Sequence, residues 1–352
     1  MKFNPDARAT LIGSLPVSDH SEAIDLVLKY TSDIPIWVQL PVYKNERLLS
    51  QFVAGLPGIK FRDDTVYFDT SDPDFESQLL SFFEEYLEVT EAGKEIADTR
   101  FALDEDHAPG FFLLLKAIED RNLKPFAIKG QITGTFTLLT GIKDQNQKLA
   151  YYDIQLREIV VKAVALKARF QIEQMKRVCS QAICFLDEPA LAGFGSSGFV
   201  GISKEDVCQD MAEAVNCIHD AGGIAGVHVC ANTDWSVILD SDVDILSFDA
   251  FSYFDRFKLF KDKIHAFLNR GGTIAWGLVP TLNQKDLEAA TLNDLFDMWC
   301  DQVEELDLSK EFVASRCLVT PSCGTGLLSR DLSVKALDLT AGLSEAIRDK
   351  FC

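Results

Sequence analysis

Ala182-Ile183-Cys184-Phe185-Leu186-Asp187-Glu188-Pro189-Ala190-Leu191 is an apolar run that stops at two carboxylates and a proline. A short apolar run bounded by turn chemistry reads as a buried β-strand, here Ala182–Asp187. Outward from it the same grammar recurs at Ala9–Leu15, Ile34–Leu40, Phe126–Ile132, Ile224–Cys230, Ile245–Asp249, Thr273–Gly277 and Cys317–Pro321. Each run ends in Gly, Pro, Ser, Asp or Cys, and stretches of helical periodicity separate them. Eight strands alternating with helices predict an α/β fold, a single (β/α)8 TIM barrel over 1–352.

The connections support that register. Gly222-Gly223 and Gly271-Gly272 sit where a helix must stop before a strand begins, which glycine at a helix C-terminus permits. Tyr151–Cys179 is a long amphipathic run, and Ser203 followed by Asp206 carries N-cap chemistry. The segment 41–125 is too long for one crossover and is acidic, so it is expected as an excursion over the barrel mouth. No repeat or Pro- or Ser-rich linker marks a second domain.

Composition excludes whole classes of function. Of 352 residues, 47% are hydrophobic and 25% charged, enough to bury a large core. No stretch approaches the ~18 apolar residues of a membrane span. Thirty-four basic against 54 acidic residues give a net charge of −20, so no basic field holds a phosphate backbone or an anionic lipid surface. Neither nucleic acid nor membrane is expected as a partner. Met1-Lys2-Phe3-Asn4-Pro5-Asp6 lacks the pattern of a secretory leader, and the nine cysteines, all at or after Cys179, read as thiols of a cytoplasmic protein.

Catalytic residues in this fold come from the carboxyl ends of the strands. The fifth expected strand ends Val227-His228-Val229-Cys230, so His228 and Cys230 project to one side. The same spacing suits a core histidine beside a buried cysteine. The eighth delivers Pro321-Ser322-Cys323-Gly324-Thr325-Gly326, a third soft donor on a glycine-rich loop at the same face. One imidazole and two thiolates with a position left open is a catalytic zinc arrangement. Asp249 ends the sixth strand, as a fourth ligand, a partner orienting His228 or a surface carboxylate. Asp187 and Glu188 end the fourth, suited to an ammonium group, with an N-cap as the alternative for one of them. Ile12-Gly13-Ser14 closes the first strand, offering close backbone approach and a hydroxyl to a substrate carboxylate.

Together, Ile12-Gly13-Ser14, Gly130 with Thr133, Asp187-Glu188-Pro189-Ala190-Leu191, His228-x-Cys230 and Cys323-Gly324 resemble the cobalamin-independent methionine synthase family. The likeness is to its catalytic C-terminal barrel, within the uroporphyrinogen decarboxylase/methionine synthase-like superfamily, and spans nearly the whole chain. It implies Zn2+ held by His228, Cys230, Asp249 and Cys323, although the family's carboxylate is usually glutamate. It also implies homocysteine held at its amino group by Asp187 and at its carboxylate by Ser14, and methyl transfer to give methionine.

Two departures bear on the donor. Where the family has a histidine near the end of the seventh strand, this chain reads Trp276-Gly277-Leu278-Val279-Pro280-Thr281. Where folate-binding members have a tryptophan after the third strand, it reads Phe136-Thr137-Leu138-Leu139-Thr140. A methylated corrinoid such as methylcobalamin, brought by a corrinoid protein, is therefore expected ahead of methyltetrahydrofolate. Competing readings are methyl transfer to coenzyme M and a non-catalytic zinc- or corrinoid-binding accessory protein. Uroporphyrinogen decarboxylase chemistry uses no metal and leaves His228, Cys230 and Cys323 unexplained.

Overall fold

A computed structural model describes residues 3–352; Met1 and Lys2, where the stretch read for a leader begins, lie outside them. The strands are Ile59–Arg62 (β1), Thr65–Phe68 (β2), Ile128–Thr133 (β3), Lys143–Asp144 (β4), Ala182–Asp187 (β5), Ile224–Val229 (β6), Ile245–Phe248 (β7), Thr273–Val279 (β8) and Cys317–Pro321 (β9). Six of them form one parallel sheet in the order β3-β5-β6-β7-β8-β9. These six are almost entirely buried, as parallel strands with both faces covered must be.

Of the expected ring of eight strands, six are regular strands of one sheet. The two N-terminal candidates are extended segments joined by isolated bridges only, Ala9 to Val319, Ser14 to Gln39 and Ile36 to Lys129. Pro35 supplies no amide to a ladder, and the Thr10 hydroxyl donates to the Ile34 carbonyl at 2.9 Å. The six-stranded sheet thus curls into a half-barrel, and these two segments span from β9 to β3 across its open side.

Side chains alternate along each strand, and the inward rows change character with height. Ile183 and Phe185 on β5, Ile245 on β7, Ala275 on β8 and Leu318 on β9 form an apolar plug. One step higher on the same faces stand Asp187, His228 and Ser247, and the register sets Asp187 beside His228 and His228 beside Ser247. The fold therefore lifts a polar row onto an apolar floor.

Outside the sheet, helices Ile154–Met175 and Lys204–Asp220 pack together. Ser203 caps the second by accepting the Asp206 amide. Gly222 at φ 73° and Gly271 at φ 107° take the left-handed turn that ends a helix before β6 and before β8. The segment 41–125 is mostly a flank. Phe52, Phe68, Phe82, Phe101 and Phe111 join the same core as Trp276. β1 and β2 pair antiparallel, β4 adds to their edge, and helix Pro109–Asp120 packs on helix His20–Tyr30. Among the described residues no helix is long and apolar enough to cross a membrane.

Candidate functional site

His228 Nε2 or Nδ1, Cys230 Sγ and Cys323 Sγ offer ligand atoms that all lie within 4.8 Å of one another. His228 and Cys230 come from one face of β6 and the turn after it. Cys323 comes from the loop after β9, where Thr281 clamps it: the Thr281 hydroxyl accepts the Cys323 amide and donates to the Cys323 carbonyl, both at 3.0 Å. The nine cysteines are free thiols, so this pair is available as donors.

The donor set fits zinc. His228 Nδ1 hydrogen bonds Ser247 Oγ at 2.9 Å, which leaves Nε2 buried without a partner. An uncompensated buried nitrogen costs about 1–3 kcal/mol, which a metal bond would offset. The other four histidines are partnered: His20 by Glu46, His107 by Asp104, His219 by Asp244 and His265 by the Leu306 carbonyl. The hydrogen-bonding Cys323 thiol, with help from His228, pulls the Cys230 pKa well below the usual thiol range, while the same contact and burial push Cys323 up. The shift at Cys230 is toward the thiolate, the form that ligates metal.

A cavity of about 310 Å³ opens over these donors. Ile12, Gly13, Ser14 and Asp187 line it as expected from the sequence, together with Gln39, Glu46, Arg47 and Leu48. Gly13 leaves room for its neighbour: a Cβ there would come within 2.0 Å of Gln39 Oε1, so that the end of that side chain would have to move. The Ser14 hydroxyl accepts the Gly326 amide at 3.3 Å, tying the first segment to the Cys323 loop. Asp187 is buried, its Oδ1 has no partner, and burial raises its pKa against the pull of His228 and Lys129.

Two expected site residues make capping contacts in the structure. Glu188 does not face the cavity. Its carboxylate accepts the Phe136 amide at 3.0 Å, the Thr137 amide at 2.8 Å and the Thr137 hydroxyl at 2.6 Å. It caps helix Thr135–Gly141 from the neighbouring strand, because alternation turns it away from the face that carries Asp187. Asp249 is buried and caps its own helix, Ala250–Phe257, by accepting the Ser252 amide at 2.8 Å. Its oxygens are not among the clustered ligand atoms, and Ser247 is the residue that orients His228.

Sequence reading missed Ser247, Thr281, Lys129 and the cavity wall at 46–48. Ser247 shares Asp249's inward face two residues earlier, a signal alternation carries. Lys129 lies wholly buried on β3 with its Nζ 4.2 Å over the Phe185 ring and no hydrogen-bond partner. Burial lowers it to about 8, with Asp187 opposing.

No protein-family model matches the chain, and no curated protein sequence does. Solved structures do. One, described as a candidate vitamin-B12-independent methionine synthase from Listeria monocytogenes, superposes with a TM-score of 0.56 at 14% identity over 96% of this chain and 97% of that one. A methyltransferase from Methanosarcina mazei gives 0.54 at 14% identity over 98% and 94%. A B12-independent methionine synthase from Shewanella sp. W3-18-1, in complex with selenomethionine, gives 0.48 at 16% identity over 68% and 67%. At such identities the first two establish a shared fold.

Proposed function

We propose that this chain is a zinc-dependent S-methyltransferase that methylates a small thiol, homocysteine, to give methionine, with a methylated corrinoid as donor. In this reading it works in the cytoplasm as one barrel domain over 1–352. The observation that carries the reading is the cluster of His228, Cys230 and Cys323 at the floor of a cavity that Asp187 shares.

His228, Cys230 and Cys323 would hold the metal, which when bound lowers the pKa of an added thiol and so supplies thiolate at neutral pH. The chain's own groups do the rest. Asp187, with an unpaired buried oxygen, receives an ammonium group and sets the substrate's direction. Ser247 fixes the ring of His228. Ser14 and the Cys323 loop form the wall against which the substrate chain rests. Holding the sulfur in line with an incoming methyl group converts an encounter into an oriented displacement. The thiol proton leaves to solvent, the sulfur gains the methyl, and the donor keeps its bonding electron pair. An acceptor without an amino group, such as coenzyme M, leaves Asp187 without a counter-ion.

Zinc content and zinc-edge X-ray absorption, with and without homocysteine, test this. About one zinc per chain with a sulfur added on substrate binding is expected. A metal shell that no thiol alters would overturn the proposal in favour of an accessory or metal-free role.

A further inference from the structure

Residues 44–48 cross the cavity rim as a short 3₁₀ turn, Lys44–Glu46, and its exit. Both neighbours of Arg47 are fastened. Glu46 is buried, with Oε1 hydrogen bonded to His20 Nε2 at 2.9 Å and Oε2 accepting the Leu40 amide at 2.8 Å. The Leu48 carbonyl accepts the Thr133 hydroxyl at 2.6 Å, at the very end of β3. Arg47 therefore leaves a held backbone and lines the cavity alongside Asp187, His228, Cys230 and Cys323.

Its guanidinium is only partly engaged. Nε donates to the Pro41 carbonyl at 3.2 Å. The Asp64 carboxylate stands 3.7 Å from Nη1 and is itself ion-paired with Lys44. Among the described residues, Arg47 is the single lysine or arginine on the cavity wall. A planar guanidinium with free N–H groups matches the two-oxygen face of a carboxylate or a sulfonate. The cavity thus presents a cation at its rim, a carboxylate in its wall and sulfur donors at its floor.

We infer that Arg47 is a specificity-determining residue that receives the anionic end of the substrate, so that the acceptor is a short thiol bearing a carboxylate. The inference rests on the thiol-methylation reading and adds to it the group that selects among thiols. Arg47 acts on binding, with the chemistry left to the floor of the site.

Calorimetric titration of the zinc-loaded protein, as wild type, Arg47→Met and Arg47→Lys, provides the test. The probes are homocysteine, its decarboxylated analogue aminopropanethiol, and coenzyme M. Wild type should bind homocysteine about 10-fold more tightly than aminopropanethiol. Arg47→Met should abolish that preference without weakening aminopropanethiol, and Arg47→Lys should keep part of it. A purely structural role would weaken both thiols alike. Equal binding of the two by wild type, or an equal loss for both in Arg47→Met, overturns the Arg47 assignment and leaves thiol activation standing. Binding of neither by zinc-replete wild type overturns both. Coenzyme M bound more tightly than homocysteine, with the same loss in Arg47→Met, keeps Arg47 as the anion receptor and overturns carboxylate as its anion in favour of sulfonate.

Discussion

Asp187 and Glu188 are adjacent, both buried and both carboxylates, yet they belong to different regions of the molecule. Glu188 belongs to the closed side: three donors from Phe136 and Thr137 satisfy it. Asp187 belongs to the open side: its Oδ1 and the neighbouring His228 Nε2 lack partners, and both residues line the cavity. Buried polar groups are paired almost everywhere in proteins. A concentration of unpaired ones over a cavity is where a ligand's groups complete the arrangement, whereas a completed network holds the fold.

The strongest way to break that contrast is to remove each carboxylate in turn. Glu188→Ala strands two helix amides and a hydroxyl, and should cost about 3 kcal/mol in urea unfolding. Homocysteine binding by the folded fraction should persist. Asp187→Asn should change stability by less than about 1 kcal/mol, because it removes an uncompensated buried charge. It should weaken homocysteine about 100-fold in calorimetry, by leaving the ligand's ammonium unpaired. If both variants lose stability equally and bind alike, the division between the two sides is wrong.

The contrast also explains what was legible in the sequence. β5 and β9 run between the very residues read as strand limits, and β3, β6, β7 and β8 differ by one or two residues. Strands buried on both faces leave unbroken apolar runs. Ala9–Leu15 and Ile34–Leu40 carry the same runs, but join their neighbours through isolated bridges, a difference that composition does not reveal. His228, Cys230 and Cys323 were legible because strand ends bring them to one face. Strict alternation from Ile183 and Phe185 also separates Asp187 from Glu188. Arg47 was not legible: its place depends on Glu46 meeting His20 and Leu48 meeting Thr133, contacts 26 and 85 residues apart in sequence.

Lys129 sharpens the comparison through stability. Burial holds its ammonium down from 10.5 to about 8. Between those values the native chain binds fewer protons than the unfolded one, so stability rises with pH across that window. The penalty is present in full below pH 8 and gone above 10.5, and the depression corresponds to at most about 3 kcal/mol. Lys129→Met should therefore be more stable than wild type at pH 7. Its advantage in urea unfolding of the metal-free proteins should shrink as pH climbs from 8 to 10. An advantage that stays flat with pH would mean that burial does not depress the Lys129 pKa below its unfolded value.

Ser247 gives the smallest effect and the finest distinction. It neither lines the cavity nor belongs to the donor cluster; its hydroxyl meets His228 Nδ1 at 2.9 Å from the next strand in register. That contact engages Nδ1 and leaves Nε2 without a partner, as the nitrogen open to a metal. Loss of such an orienting partner costs metal affinity about 10-fold, up to 100-fold, while the ligands themselves remain. Ser247→Ala should therefore still bind zinc with unchanged stoichiometry, but release it about 10-fold more readily to a competing chelator. Ser247→Thr, which keeps the hydroxyl, should recover most of the loss. An unchanged zinc affinity in Ser247→Ala would show that the backbone of β6 alone aims the imidazole. The open side would then owe its geometry to the strand, with Ser247 only filling space beside it.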